Sequence, residues 1–483
     1  MTAIWAIIKL TCRDALRSYV FQLLLVVLLA CIILVPNTIS GDGTASGFIQ
    51  ISLKYSLGFV SFILSLSTIW LGSFSLTRDV ETYQLHMVIS KPVSRGAVWA
   101  GKFLGVMLLN LSLLIISCSV IYGFIIWQYK HQKFTAEEKS RIENEVMVGR
   151  KVFVPVMPNI KELTREEYKN RLAKAKAEGT PMPEARTAEE QKKILTELRK
   201  QILANMAEVK AGEIKMWEYR NIPSGLTTPL FMRYRAYLGK VSSQDQRETG
   251  GIWAAEIAVS KDELLKNGQK LPEDSPAVQR IFVPRTPYPE KIMSGSFHEI
   301  AMTPKVINQD GVVRIGFQNF DAEGKSLFFQ AGDGPLLLLR KCGFFENYWR
   351  GVLVIMLRLF VLCGLSCAAA SCLSMPTAIF MVISYLSFGS AADFLIGLDS
   401  AMEGMPMRDF SEIIASWVSR ALLLVIIPMQ KFEISGMLAN GELVEFYLIG
   451  WLFLKYVLLR GMPLFLLGLW LYKRRELGLI VRK

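Results

Sequence analysis

The sequence predicts an α-helical polytopic membrane protein of six transmembrane helices, with an α+β outer insertion between the third and the fourth. Three observations carry this expectation. Apolar residues make up 52% of the 483, at a mean hydropathy of +0.32. They are clumped into runs rather than dispersed at helix or strand spacing, and about 20 such residues suffice to cross the hydrocarbon core. Lys and Arg gather at three places that fall on one side of a six-span count. Finally, a long polar segment separates two groups of apolar runs.

Taken in order, Ile4 to Lys9 with Arg13 and Arg17 forms an amphipathic stretch suited to the membrane surface. No small-residue cleavage site follows the first run, and Pro36-Asn37 opens a polar loop, so the run is not read as a signal peptide. The spans are Tyr19 to Val35, Leu57 to Leu76, Leu104 to Trp127, Val352 to Cys372, Thr377 to Leu398 and Ile449 to Tyr472. Ile413 to Ile427 is short for a span and carries Arg420, which suits an interfacial or re-entrant helix. Lys9, Arg13 and Arg17, then Arg78, Lys91, Arg95 and Lys102, then Lys473, Arg474, Arg475 and Arg482 share one side, so both termini are expected in the cytoplasm of a bacterial inner membrane.

Three parts follow: a membrane part over residues 1–128, with a cytoplasmic loop at 77–103; an extracytoplasmic insertion over 129–347; and a second membrane part over 348–483. Residues 129–215 of the insertion are rich in Glu, Lys, Ala and Arg, as exposed helices with charge pairs three and four apart would be, broken near Pro181 and Pro183. Residues 216–347 hold short β-type runs at 229–235, 252–257, 280–283, 312–317 and 336–339. The last two are preceded by the turn signals Asn308-Gln309-Asp310-Gly311 and Asp333-Gly334-Pro335. Such strands suggest a small antiparallel sandwich. Its aromatic residues Phe231, Tyr234 and Trp253 are expected in the core, the other reading being a sugar-binding or partner face.

The formal charge of +13 follows from topology and needs no nucleic acid, since no recognition fold or basic–aromatic stripe accompanies it. The seven Cys and three His form neither a disulfide framework nor a metal-ligand cluster. Gly324-Lys325-Ser326 imitates the end of a phosphate-binding loop, but Asn319 stands where that motif needs Gly. With no catalytic signature present, the chain is not expected to be an enzyme.

The most informative stretch runs from Thr77 to Gly105. Up to Ser90 its pattern fits a surface helix; Pro92 breaks it, and Ser94 caps the helix entering span three. An ordinary positive-inside loop reads the same way. The residues Arg78, Asp79, Glu81, Ser90, Lys91, Pro92, Ser94, Arg95, Gly101 and Lys102 nonetheless resemble the cytoplasmic loop of ABC-2-type permeases, a family of multi-component exporters. The small-residue end of span four, the Pro428 to Glu433 stretch and the basic tail from Tyr472 resemble the same family, whereas the insertion does not. The resemblance implies a coupling helix that docks on a separate ATPase subunit, which binds the ATP. It also implies a second permease copy, or a similar permease, completing the pathway.

Span four's Gly364, Ser366, Ala368, Ala369, Ala370 and Ser371 suit close helix packing, and substrate contact is the alternative. Ionisable residues inside spans are costly and mark functional candidates. Arg358, Asp393 and Arg460 are candidates for a translocation path, while Lys455 sits close enough to an interface to snorkel. A permease subunit is therefore expected, without cofactor or metal of its own. The alternative is a membrane-anchored sensor or scaffold whose outer domain binds a ligand or partner.

Overall fold

A computed structural model describes residues 2–17, 19–38, 44–81, 93–178, 188–226, 228–239, 247–260, 278–402 and 410–475. The chain forms two compact units, one of Met1–Gly149, Cys342–Met402 and Ser411–Lys483, the other centred on Arg150–Lys341.

The first unit is helical. Its leading half contains α1 (Thr2–Arg17), α2 (Tyr19–Thr38), α3 (Ala45–Glu81), α4 (Arg95–His131) and α5 (Ala136–Glu145). As expected, Ser94 caps α4, its Oγ accepting from the Ala97 amide at 3.2 Å. Thr135 begins α5 with a reciprocal capping box to Glu138.

The second unit opens with β1 (Val148–Phe153), then α6 (Ile160–Glu178) and α7 (Ala188–Ala207). These are the expected charged helices, carrying Arg171–Glu167 at 2.9 Å and Lys200–Glu197 at 3.9 Å. The expected break at Pro181 and Pro183 lies outside the described residues. The strands that follow are β2 (Glu208–Val209), β3 (Ile214–Tyr219), β4 (Leu230–Arg235), β5 (Tyr237–Leu238), β6 (Glu248–Ser260), β7 (Val278–Pro284), β8 (Glu290–Met293), β9 (Phe297–Met302), β10 (Val313–Asn319), β11 (Leu327–Phe328) and β12 (Leu336–Gly343). They make a sheet of order β1-β12-β4-β9, a second of order β3-β10-β6-β7 with β8 beside β6, and a small third sheet. The two larger sheets share one apolar core, as a sandwich requires: Leu230, Met232, Tyr234 and Leu337 enter from the first, Trp253, Val313, Ile315 and Phe317 from the second. Trp253 is 1% exposed and stacks obliquely on Tyr234 and Phe317, both at 4.7 Å between centroids. These rings are core; Phe231 points to the other face of β4, half-buried.

The helical unit resumes with α8 (Phe344–Ala370), α9 (Met375–Met402), α10 (Phe410–Val425), a 3₁₀ turn at Met429–Phe432, α11 (Ser435–Ala439), α12 (Phe446–Leu452), a π-helical stretch at Phe453–Gly461, and α13 (Met462–Arg474). Among the described residues six helices are long and apolar enough to cross a membrane, or seven if α1 and α2, bent by 66°, count as one broken span. They suggest a multi-pass membrane protein. The six are not those read from the sequence: Arg420–Ala439 meets the test in its own right, and Tyr19–Val35 only as part of the bent pair.

Contacts inside the unit resolve how these helices run. Asp79 at the end of α3 pairs with Lys102 near the start of α4. Arg95 at the same start donates to the carbonyls of Lys473 and Arg475, past the end of the last helix. Arg475 donates to the carbonyls of Ala370 and Ser371, at the end of α8. These four helix ends therefore meet at one pole. At the other, Tyr348 of α8 donates to the Cys118 carbonyl of α4, and Asn347 bonds to Glu442 and Val444. Since α8 and α13 both end at the first pole, the chain leaves it along α9 and returns along α12 and α13. The intervening stretch 410–445 makes no net crossing. It dips in and turns back, so the segment with Arg420 is a re-entrant hairpin, one of the two readings its short length allowed.

Candidate functional site

Four helix ends, bound side to side, form the first part of the site. Lys102 Nζ stands 2.7 Å from Asp79 Oδ2, the two side chains 8% and 17% exposed. Asp79 is thus turned onto α4, although the loop pattern placed it outward toward a partner; a buried Lys requires a counter-charge at hand, and Asp79 supplies it. Arg78 remains on the exposed side, its guanidinium 5.1 Å above the Phe74 ring. Arg95 reaches across the fold with bonds of 3.0 Å and 2.8 Å to the tail carbonyls. Cations at the C-terminal ends of helices satisfy carbonyls that lack intrahelical partners, and Arg475 does the same for α8 at 3.3 Å and 3.2 Å. Trp99 Nε1 donates to Ser371 Oγ at 3.0 Å, a further tie between α4 and α8. Glu81 ends α3, its side chain outside the described residues, as are Ser90, Lys91 and Pro92 of the loop.

Small residues let these helices touch. A Cβ on Gly101 would come 2.8 Å from Ile7 of α1, and one on Gly105 2.8 Å from Thr11, so the amphipathic α1 rests directly on the α4 backbone. In α8, Gly364 accepts the ring of Phe465, and Ala368 lies against Gly468. Packing is therefore what these two small residues of span four do.

The second part lies deeper and gathers two of the three ionisable candidates onto one stretch, the turn of the re-entrant hairpin. Where the helix is broken, backbone groups have lost their helical partners, and in a membrane they must be satisfied by protein. Tyr385 of α9 does this twice: its hydroxyl donates to the Val425 carbonyl at 3.0 Å and accepts from the Ile427 amide at 2.8 Å. Arg460, within the π-helical stretch, donates to the Ile426 carbonyl at 2.8 Å. Arg358 of α8 pairs with Glu433 at 3.1 Å and donates to Ser61 of α3 at 3.3 Å. Ser435 in turn donates to Glu433 at 2.6 Å. Arg358 and Arg460 thus hold one polar segment at mid-depth. Asp393 lies on α9, but its side chain is outside the described residues. Lys455 sits over Trp451 at 4.5 Å, within the last helix. Sequence reasoning passed over Glu433 and Tyr385 as partners; the isolated Pro428 beside an apolar run was the available signal of a broken helix.

No protein family, curated protein or solved structure gives a match to the chain. Among the described residues, no group of three or more His, Cys, Asp or Glu is placed to hold a metal ion.

Proposed function

We propose that the chain is the permease subunit of an ATP-binding-cassette exporter of the ABC-2 type. Separate ATPase subunits dock on the cytoplasmic loop between α3 and α4, and a second permease copy, or a similar permease, completes the pathway. ATP is bound by the ATPases; this chain transmits their motion.

One observation carries the reading. The ends of α3, α4, α8 and α13 are bound to one another by Asp79–Lys102, by Arg95 to the tail and by Arg475 to α8. A load applied at the intervening loop therefore tilts four spans together rather than bending one. A mere anchor has no use for such coupling. At mid-depth, Arg358 and Arg460 hold the hairpin to two of the tilted elements, so its position follows theirs. In this topology the Arg150–Lys341 unit lies outside the membrane, where it gates the path or meets a partner.

Two measurements test the proposal. Charge reversal at the exposed Arg78 together with Glu81 (Arg78→Glu, Glu81→Lys) abolishes co-purification of an ATPase while leaving membrane insertion intact; undiminished association refutes the docking role. A cysteine placed at the exposed Glu323 is labelled by a membrane-impermeant thiol reagent in intact spheroplasts. Labelling only after lysis overturns the topology. A chain that brings no ATPase with it is instead the sensor or scaffold.

A further inference from the structure

α1, α2, α3 and α4 enclose a cavity of about 510 Å³ at the pole where the four helix ends meet. One wall is charged, with Asp14, Arg17, Arg78, Asp79 and Lys102; the other is apolar, built on Trp70, Phe74 and Leu109. We infer that this cavity is a binding site for an anionic glycerophospholipid, its phosphodiester held between Arg17 and Arg78 and its upper chain region laid along the Trp70–Phe74 wall.

The charges select the head group. Three cations and two carboxylates line the cavity, a net of +1. Asp79 neutralises Lys102 at 2.7 Å, so the positive balance is left to Arg17 and Arg78, with Asp14 opposite. A head group with a single negative charge and no ammonium balances this; a zwitterionic head leaves it uncompensated. Guanidinium groups suit the task, since they meet phosphate oxygens with paired N–H donors.

The apolar wall selects a lipid over a free phosphate. Trp70 and Phe74 stack at 5.5 Å, and an inorganic anion gains nothing from their faces. The position agrees. α1 exposes Trp5, Leu10 and Leu16 at 65%, 50% and 51%, as a helix lying in the membrane interface does. The bend of 66° between α1 and α2 opens the cavity at that level. Basic residues near the cytoplasmic surface attract anionic lipid. The inference requires only that these helices sit in a bilayer, and stands apart from the transport reading.

The test uses the full chain in nanodiscs of phosphatidylcholine doped with brominated-chain phosphatidylglycerol or brominated-chain phosphatidylcholine. The signal is Trp70 fluorescence, taken as the difference between wild type and Trp70→Phe. Quenching by the glycerol lipid is expected at mole fractions about 25-fold lower than by the choline lipid, from about fivefold per arginine. Arg17→Gln/Arg78→Gln removes the preference, and Asp14→Asn strengthens it. A misfolded protein cannot produce that opposite sign. Equal quenching by the two lipids overturns the site, as does an Asp14→Asn preference below wild type. Relief of quenching by millimolar inorganic phosphate overturns the choice of lipid as occupant.

Discussion

The pairing of Arg358 with Glu433 makes an asymmetric prediction. The side chain of Arg358 is 11% exposed and that of Glu433 is 44%. Removing one partner of a buried pair strands the other, at about 3–5 kcal/mol when the stranded charge is fully buried. Glu433→Gln strands the buried member. Because water reaches the carboxylate side of the pair, the penalty falls below that range, at about 2 kcal/mol. Arg358→Met strands the exposed member, which keeps water and the Ser435 hydroxyl at 2.6 Å, so about 0–1 kcal/mol is lost. The double variant strands neither and lies close to Arg358→Met, with a coupling energy of opposite sign to the losses. Thermal unfolding of the detergent-solubilised full chain reads this, at about 2–4 °C per kcal/mol. The expected order of midpoints is wild type, then Arg358→Met together with the double variant, then Glu433→Gln lowest by about 4–8 °C. Should Arg358→Met prove the more damaging, the pair is not what keeps the guanidinium at mid-depth, and the reasoning fails.

The remaining predictions concern packing, the broken helix and pH. Gly101→Ala drives a methyl into Ile7 and costs about 1–3 kcal/mol, whereas Gly123→Ala, whose Cβ meets nothing within 4 Å, is neutral or stabilising by up to about 1 kcal/mol; thermal midpoints of the two separate the effects. Tyr385→Phe leaves both the Val425 carbonyl and the Ile427 amide without their partner and lowers stability by about 2 kcal/mol, with faster hydrogen exchange at Ile427. Burial pushes the Tyr234 phenol up to about 12 and raises Tyr219 as well. Their folded values exceed the unfolded value of about 10. Their contribution is thus complete below pH 10 and is lost as pH rises through 10 toward 12. Phenolate absorbance near 295 nm then appears together with loss of the sandwich core, whereas early titration of these two tyrosines without unfolding refutes their burial.

Run length made the spans legible, because a stretch such as Leu104 to Trp127 has few other uses. The strands at 229–235 and 312–317 were legible from alternation, with Leu230, Met232 and Tyr234 inward on one and Val313, Ile315 and Phe317 on the other. β1 was not, since Arg150 and Lys151 interrupt it; the structure buries Arg150 at 1% against Glu299, at 2.6 Å. Such a residue reads as surface until its partner, 149 positions away, is known. The same limit hid the site. Lys102 and Asp79 stood in one motif, yet their mutual pairing requires the α3–α4 turn. Arg95 finds its acceptors 378 and 380 residues on. Charge patterning reveals that a cation is near an interface, and not which helix end will claim it. The hairpin shows this from the other side, since an apolar run with one Pro is compatible with crossing or turning back, and only the direction of α8 and α13 decides.

The π-helical stretch at Phe453–Gly461 has a bearing on how the last span tolerates change in length. A π-helix carries more residues per turn than its α-helical neighbours, and this one lies between the Ile426 contact and the seat of α13 on α8. Deleting one residue there, while the α12 end stays fixed, turns everything beyond it by about 100°. Gly468 then leaves Ala368 and Phe465 leaves the notch at Gly364, so the loss is felt at the pole rather than at the cut. The stretch works as a phase adjuster: it holds the rotational register between a mid-depth anchor and a polar one. A length change there is best rescued by a compensating insertion within the same nine residues, not by any substitution at the contacts it misaligns.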